Sequence, residues 1–171
     1  LSQQRQRKRS CPGSATTNTP GWWGGAHPFS ILDYSVVHNG EISSYDANRR
    51  FIEMYGYNCS LLTDTEVITY IIDFLVRRKG LTLEEAAGVI AAPFWSTIEQ
   101  MPEAQRERLA YLRETFASLL ITGPFSILLG FTGGMMALND RLKLRSMVCA
   151  EKGEAVYFAS EECAIRVMEP D

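Results

Sequence analysis

The chain reads as an α+β fold, and three features predict it. Helix-type apolar spacing comes first, short β-like runs set apart by turn signals come later, and the two do not alternate as a doubly wound sheet requires. At 171 residues the length suits about one domain. A content of 46% hydrophobic and 22% charged residues matches an ordinary globular chain and excludes collagen, coiled coil and wholesale disorder.

The elements follow in order. Residues 1–28 hold Pro12, Gly13, Pro20, Gly21, Gly24, Gly25 and Pro28, too many breakers for a regular element. Residues 31–37 read as a strand: Val36 and Val37 are β-branched, Tyr34 is aromatic, and Asn39-Gly40 closes the run with a turn signal. Residues 44 to about 55 read as a helix, with Ala47, Phe51, Met54 and Tyr55 at three- and four-residue spacing and a stop at Gly56. Thr63-Asp64-Thr65-Glu66 has the form of a capping box, in which the threonine caps amides and the glutamate reaches back. Behind it Val67, Ile68, Ile71, Ile72 and Leu75 form a buried stripe. Arg77, Arg78 and Lys79 lie where the helix dipole favours cations, and Gly80 ends the helix.

Thr82-Leu83-Glu84-Glu85 is a second capping box opening a short helix to about 91, and Pro93 breaks the run. A third long helix is expected from 102 to about 120, with Leu109, Leu112, Phe116, Leu119 and Leu120 inward. After Gly123-Pro124, the runs 125–131, 135–138, 142–150 and 155–158 are separated by Gly133-Gly134, Asn139-Asp140 and Lys152-Gly153. They predict an antiparallel meander, followed by a short helix over 160–168. No internal repeat is evident.

Charge and cysteine usage narrow the function classes. The net charge is −3, which gives no footprint of a nucleic-acid binder. Arg5, Arg7, Lys8 and Arg9 put four cations in the first ten residues, and the remaining 13 bases face 20 acids. No aromatic interleaves with the basic run, so bases have no stacking platform. A solvated terminus is the common use of such a run, and a nuclear address or an RNA arm the rarer one. No stretch of about 18 uncharged apolar residues exists, because Gly123-Pro124 interrupts 116–131, so no membrane span is expected. No secretory pattern opens the chain, which also sets aside the glycosylation signature Asn58-Cys59-Ser60. Cys11, Cys59, Cys149 and Cys163 form no close pair, and His27 and His38 do not complete a zinc spacing. No metal site is expected, and the cysteines read as buried free thiols of a reducing, cytoplasmic setting.

Three polar clusters could carry chemistry. His38-Asn39-Gly40-Glu41 follows the apolar strand directly. Asparagine supplies a side-chain donor, and glycine lets a backbone N–H approach a ligand. The pair is either an oxyanion hole or simply a turn. Asp64 at a helix start either complements the dipole or binds a substrate ammonium. Thr16-Thr17-Asn18-Thr19 before Pro20-Gly21 either holds a carboxylate or forms turn hydrogen bonds. Trp22-Trp23 beside Gly24-Gly25 anchors a loop or lines a cleft.

Taken together these segments are familiar. Thr17-Asn18-Thr19-Pro20-Gly21, Ala26-His27-Pro28-Phe29, Val37-His38-Asn39-Gly40-Glu41-Ile42 and Thr63-Asp64-Thr65-Glu66 occur in that order. The set resembles the class II glutamine amidotransferase domain, an N-terminal-nucleophile hydrolase, and most closely the amidotransferase part of glutamate synthase. Asn139-Asp140-Arg141-Leu142-Lys143-Leu144-Arg145 resembles its later "DR…LRP" segment, and Ala159-Ser160-Glu161-Glu162 its "ASE" segment. Each motif is weak alone; the ordered set, over about residues 15–166, is specific.

The resemblance implies hydrolysis of glutamine to glutamate and ammonia by an N-terminal cysteine whose own α-amino group is the base, through a glutamyl thioester. By position Asn39 and Gly40 match the oxyanion hole. Asp64 matches the acid that holds the α-ammonium, and Thr17 a carboxylate-side contact with Asn18 beside it. His38 is grouped with the substrate-binding residues. It implies a four-layer αββα sandwich of antiparallel sheets. Glutamine is the small-molecule substrate, an ammonia-accepting synthase domain or subunit is the partner, and no cofactor belongs to this domain. In glutamate synthases the flavin and iron–sulfur centres sit on other domains. The chain departs from the pattern in places. It opens with Leu1, Cys11 lies too close to Thr17 to match the nucleophile, Ser14 stands where the family usually has an arginine, and Ser146 replaces the proline of "LRP". The expectation is therefore an irregular basic segment over 1–14 and a partial amidotransferase domain over 15–171. That domain is expected to be short of strands at both ends, without the nucleophile-bearing N-terminus. The alternative is a non-catalytic binding or regulatory module that keeps the fold.

Overall fold

The structure, a computed structural model, describes residues 28–170. Its elements run β1 (Phe29–Ile31), β2 (Tyr34–Gly40), α1 (Tyr45–Met54), α2 (Asp64–Asp73), α3 (Leu83–Ile90), α4 (Trp95–Ile98), α5 (Glu103–Thr115), β3 (Phe125–Phe131), β4 (Gly134–Asn139), β5 (Val148–Lys152), β6 (Ala155–Ala159) and α6 (Glu162–Met168). One turn of π-helix, Phe74–Arg78, extends α2, and a 3₁₀ turn, Ala117–Leu119, follows α5. Strands β1-β2-β3-β4 form one antiparallel sheet, and β5-β6 form a second. The mixed α+β architecture with antiparallel sheets is the one expected. Among the described residues the sandwich is open: helices cover one face of the larger sheet, and the smaller sheet only borders the other. No helix of the described residues is long and apolar enough to cross a membrane.

Alternation builds the larger sheet. Val36, Phe125, Ile127 and Leu129 point to the helical side and are fully buried. They meet α2, whose Val67, Ile68, Ile71, Ile72 and following Leu75 are at most 1% exposed, as the stripe predicts. Burying a side chain of this size contributes about 1.5–3 kcal/mol. The helix is buried around its whole circumference, including Asp64, Glu66 and Asp73. Asp73 is satisfied by Arg77, at 2.6 and 2.8 Å, and by the Tyr57 hydroxyl. Burial pushes its pKa up, but these donors outweigh it and hold the carboxyl below its ordinary value.

The structure corrects several expectations. Residues 31–37 are not one strand. The chain reverses at Leu32-Asp33, with Leu32 at φ 53°, to make the β1–β2 hairpin. Asn39-Gly40 is not a turn, because both residues pair with β3 as the last positions of β2. On α1 the buried residues are Asn48 and Ile52, one position beyond Ala47 and Phe51, because Asn48 donates to Ser118 O and Leu120 O across the chain. The capping box at Thr82–Glu85 forms. The one at Thr63–Glu66 does not: Thr63 makes no cap bond, and Glu66 accepts the N–H groups of Ser60 and Leu61. The helix expected to 120 ends at Thr115, and α4 was not expected. Residues 142–147 are a loop, so β5 begins at Val148. The expected meander divides, β3–β4 joining β2 and β5–β6 standing as a separate hairpin.

Candidate functional site

Strand β2 sorts the candidate residues by face. His38, in register with Ile127, points to the helical side and is fully buried. Asn39, in register with Ser126, points to the open side. There it borders a cleft of about 170 Å³, lined on the sheet by Val37, Ser126 and Leu128 and opposite by Ser146, Met147 and residues 158–160. The Asn39 carboxamide makes no hydrogen bond among the described residues. Asn39 and His38 are thus neighbours in sequence on opposite faces of the sheet.

The end of β2 is fixed by a crossing of two backbones. Glu41 N donates to Pro124 O at 3.0 Å, and Ser43 N to Thr122 O at 2.8 Å. Bonds in an antiparallel ladder come at alternate residues, so those from β2 to β3 fall at Asn39 and Glu41. The Gly40 N–H therefore turns to the other side of the strand. The approach is so close that a Cβ on Gly40 would meet Pro124 O at 2.1 Å, and one on Gly123 would meet Glu41 O at 2.5 Å. Two glycines at the crossing are a steric requirement.

Asp64, fully buried at the start of α2, reaches the same place from the helical side. Its Oδ2 accepts the Ile42 N–H at 3.1 Å. It thus ties the first turn of α2 to the chain two residues beyond Gly40. Around it the polar groups are buried as well. Thr63 Oγ1 and Thr65 Oγ1 have no hydrogen-bond partner among the described residues. Thr17, Asn18, Ser14, Cys11, Trp22, Trp23 and His27 lie outside the described residues.

No described cysteine serves the cleft. Cys59 is buried, and burial first, then the nearby Glu66 and Glu53, push its thiol up to about 12. Cys149 and Cys163 are exposed on the second sheet and on α6. The Cys163 thiol is raised by its hydrogen bond to Glu161.

One residue that sequence reasoning did not single out lies behind the cleft wall. Asp140 is 3% exposed and accepts backbone N–H groups from the start of β3 and from the loop that leads to Ser146 and Met147 of the cleft. Its only sequence signal was its place in the Asn139–Arg145 motif. A wider, open depression of about 450 Å³ also lies beside Glu41, Tyr45, Asp46 and Pro124.

No family model matches the chain. An uncharacterized protein of Archaeoglobus fulgidus is 50% identical over 155 residues, 91% of this chain and 41% of that protein. A putative glutamine amidotransferase of Methanothermobacter thermautotrophicus is 33% identical over 145 residues, 82% of this chain and 38% of its own length. The chain thus spans about two-fifths of these relatives. In fold it is similar to the glutamine phosphoribosylpyrophosphate amidotransferase of B. subtilis. The TM-score is 0.57 at 18% identity, covering 85% of this chain and 27% of that one. The chain's sequence relatives are glutamine amidotransferases, and its α+β fold with antiparallel sheets is similar to the amidotransferase domains of the N-terminal-nucleophile hydrolase type.

Proposed function

We propose that this domain is the glutaminase unit of a glutamate-synthase-type protein of the cytoplasm. It hydrolyses glutamine to glutamate and ammonia and passes the ammonia to a synthase domain, with no cofactor of its own. The observation that carries this reading is the end of β2. There the Asn39 carboxamide, unbonded among the described residues, lies off the sheet face beside the cleft, and the neighbouring Gly40 N–H is turned off the β3 ladder. Two donors fixed in advance on a rigid strand suit the oxyanion that forms when a thiolate attacks an amide carbon.

The roles follow. A cysteine sulfur attacks the side-chain amide carbon of glutamine, and negative charge gathers on the amide oxygen beside Asn39 and Gly40. The C–N bond then breaks, and ammonia leaves with a proton from the nucleophile's base. Water cleaves the glutamyl thioester and returns the thiol. Asp64 holds the substrate α-ammonium while bracing Ile42, Thr17 and Asn18 serve the carboxylate side, and His38 supports the strand end from behind. The burial of Cys59 rules out its thiolate as the attacking group. In this reading the nucleophile is an N-terminal cysteine of the mature protein.

Glutamate release by the full-length gene product tests the proposal. Asn39→Ala is expected to lower turnover about 10²–10³-fold and to change KM for glutamine little, because the donor acts on the transition state. Near-normal turnover in that variant removes the oxyanion role. A full-length protein that binds glutamine without releasing glutamate would instead be the non-catalytic module.

A further inference from the structure

We propose that Asp140 is the positioning residue of the Asn39 cleft, a single carboxylate that sets the distance between the oxyanion donors and the wall facing them. The proposal rests on the glutaminase reading above. Its two oxygens accept five hydrogen bonds from four backbone N–H groups. Phe125 N lies at 3.3 Å and Leu142 N at 3.0 Å. Leu144 N bonds both oxygens, at 3.1 and 2.9 Å, and Arg145 N lies at 3.2 Å.

The donors come from two places. Phe125 opens β3 and is the register partner of Gly40. The other three belong to the loop from β4 to β5, which ends in Ser146 and Met147, the cleft wall opposite Asn39. Further bonds tie down the same loop. Asn139 Nδ2 donates to Arg145 O at 2.6 Å and Ser146 Oγ to Ser160 O at 2.7 Å, with a longer bond from Ser126 Oγ to Ser146 O at 3.5 Å.

Beyond these, Arg141 lies over the Phe94 ring at 4.9 Å and Lys143 N donates to Asp140 O at 2.9 Å. Leu142 and Leu144 are 58% and 59% exposed, and the stretch has no regular ladder. Apart from Arg141, the loop's outward leucines and cations gain little core packing from its order. What its order does produce is a wall at constant separation from Asn39. The chemistry requires a carboxylate, which offers about four acceptor sites on two oxygens. A carboxamide has one oxygen, and its NH₂ would face the loop's N–H groups. Burial raises the Asp140 pKa, but the backbone donors outweigh it and keep it lowered, so the ionised form is the one present at neutral pH.

The test is steady-state glutamine hydrolysis by the full-length gene product and its Asp140→Asn variant, with amide hydrogen exchange read over residues 141–146. A wall displaced by about 1 Å is enough to cost about 10²-fold in rate. Asp140→Asn is therefore expected to lower kcat about 10–100-fold with KM for glutamine changed less than about threefold. Protection should be lost over 141–146 and kept in the β2–β3 ladder. Asn139→Ala, which removes only the Arg145 clamp, is a gentler variant should Asp140→Asn fail to fold. It is expected to show the same split, about three- to tenfold in kcat. Wild-type kcat in a folded Asp140→Asn or Asn139→Ala protein overturns the proposal alone, as does a rise in KM at unchanged kcat. A wild-type protein that releases no glutamate overturns the glutaminase reading, and the proposal with it.

Discussion

Replacing Gly123 by alanine tests whether the backbone crossing at the end of β2 is as tight as described. Two effects combine. Gly123 has φ +109°, a conformation that side-chain-bearing residues rarely adopt, and forcing one there costs about 1–3 kcal/mol. The new Cβ would also lie 2.5 Å from Glu41 O and 3.0 Å from Ser43 N, both backbone atoms that cannot rotate away. Overpacking of this kind costs about 1–3 kcal/mol more. The total is about 2–6 kcal/mol, or about 4–24 °C in Tm for a chain of this size. Gly133 is the internal control: its φ is +89°, but a Cβ there meets nothing within 4 Å. Gly133→Ala should show only the conformational part, about 1–2 kcal/mol. Urea and thermal unfolding followed by circular dichroism give both numbers. Equal losses in the two variants would refute the crossing as the source of the strain and leave only the dihedral term.

Other outcomes follow from the same structure. Thr82→Ala should cost about 1 kcal/mol, because its capping box is formed, whereas Thr63→Val should be neutral or slightly stabilising, because it replaces a buried hydroxyl that bonds nothing; chemical denaturation of the two variants decides. Asp73→Asn should cost about 2–3 kcal/mol at pH 7, below the value for a fully buried pair because Arg77 is half exposed. Since the Asp73 carboxyl is held below its ordinary value, its contribution is complete above about pH 4 and fades as pH falls through the lowered folded value, so the two proteins' melting curves should converge in acid. Cys59 is buried, and burial pushes its thiol up to about 12, so little thiolate forms at pH 8. It should resist a thiol reagent until the protein unfolds, while Cys149 and Cys163 react at once.

Where the physics is local and periodic, the sequence displayed it. The stripe Val67–Leu75 repeats at helical spacing because one helix packs centrally, and it was legible residue by residue. Thr82–Glu85 was legible for the same reason: both partners of the box lie within one turn. Thr63–Glu66 carries the same letters, yet Glu66 found two better donors in the loop before the helix, a competition no four-residue signature records. Asn39-Gly40 looked like a turn because its partner strand lies far along the chain. The reversal at Leu32-Asp33 carries no glycine or asparagine, so it gave no turn signal. The run 142–150 had β-like letters, but Asp140 captured three of its amides first. Of the candidate site, Asn39 and Gly40 end β2, with Asn39 on the open face, while Asp64 and His38 are buried on the helical side, Asp64 bonding Ile42 just beyond the strand end.

The pairing of β2 with β3 also shapes how the chain must fold. Hairpins β1–β2 and β3–β4 join residues three apart, Ile31 with Tyr34 and Phe131 with Gly134. Gly40 and Phe125, by contrast, are 85 positions apart (125 less 40), with all of α1 to α5 between them. Closing a loop of that length costs on the order of 4 kcal/mol in chain entropy. The two hairpins are thus cheap, early structures, and their union is the slow, non-local event. Condensation of the helical excursion around Ile68 and Phe74 shortens the loop that must close before the strand ends meet. The donors beside the cleft are consequently among the last features to acquire their geometry, and a destabilised helical core would lose the site while both hairpins still stood.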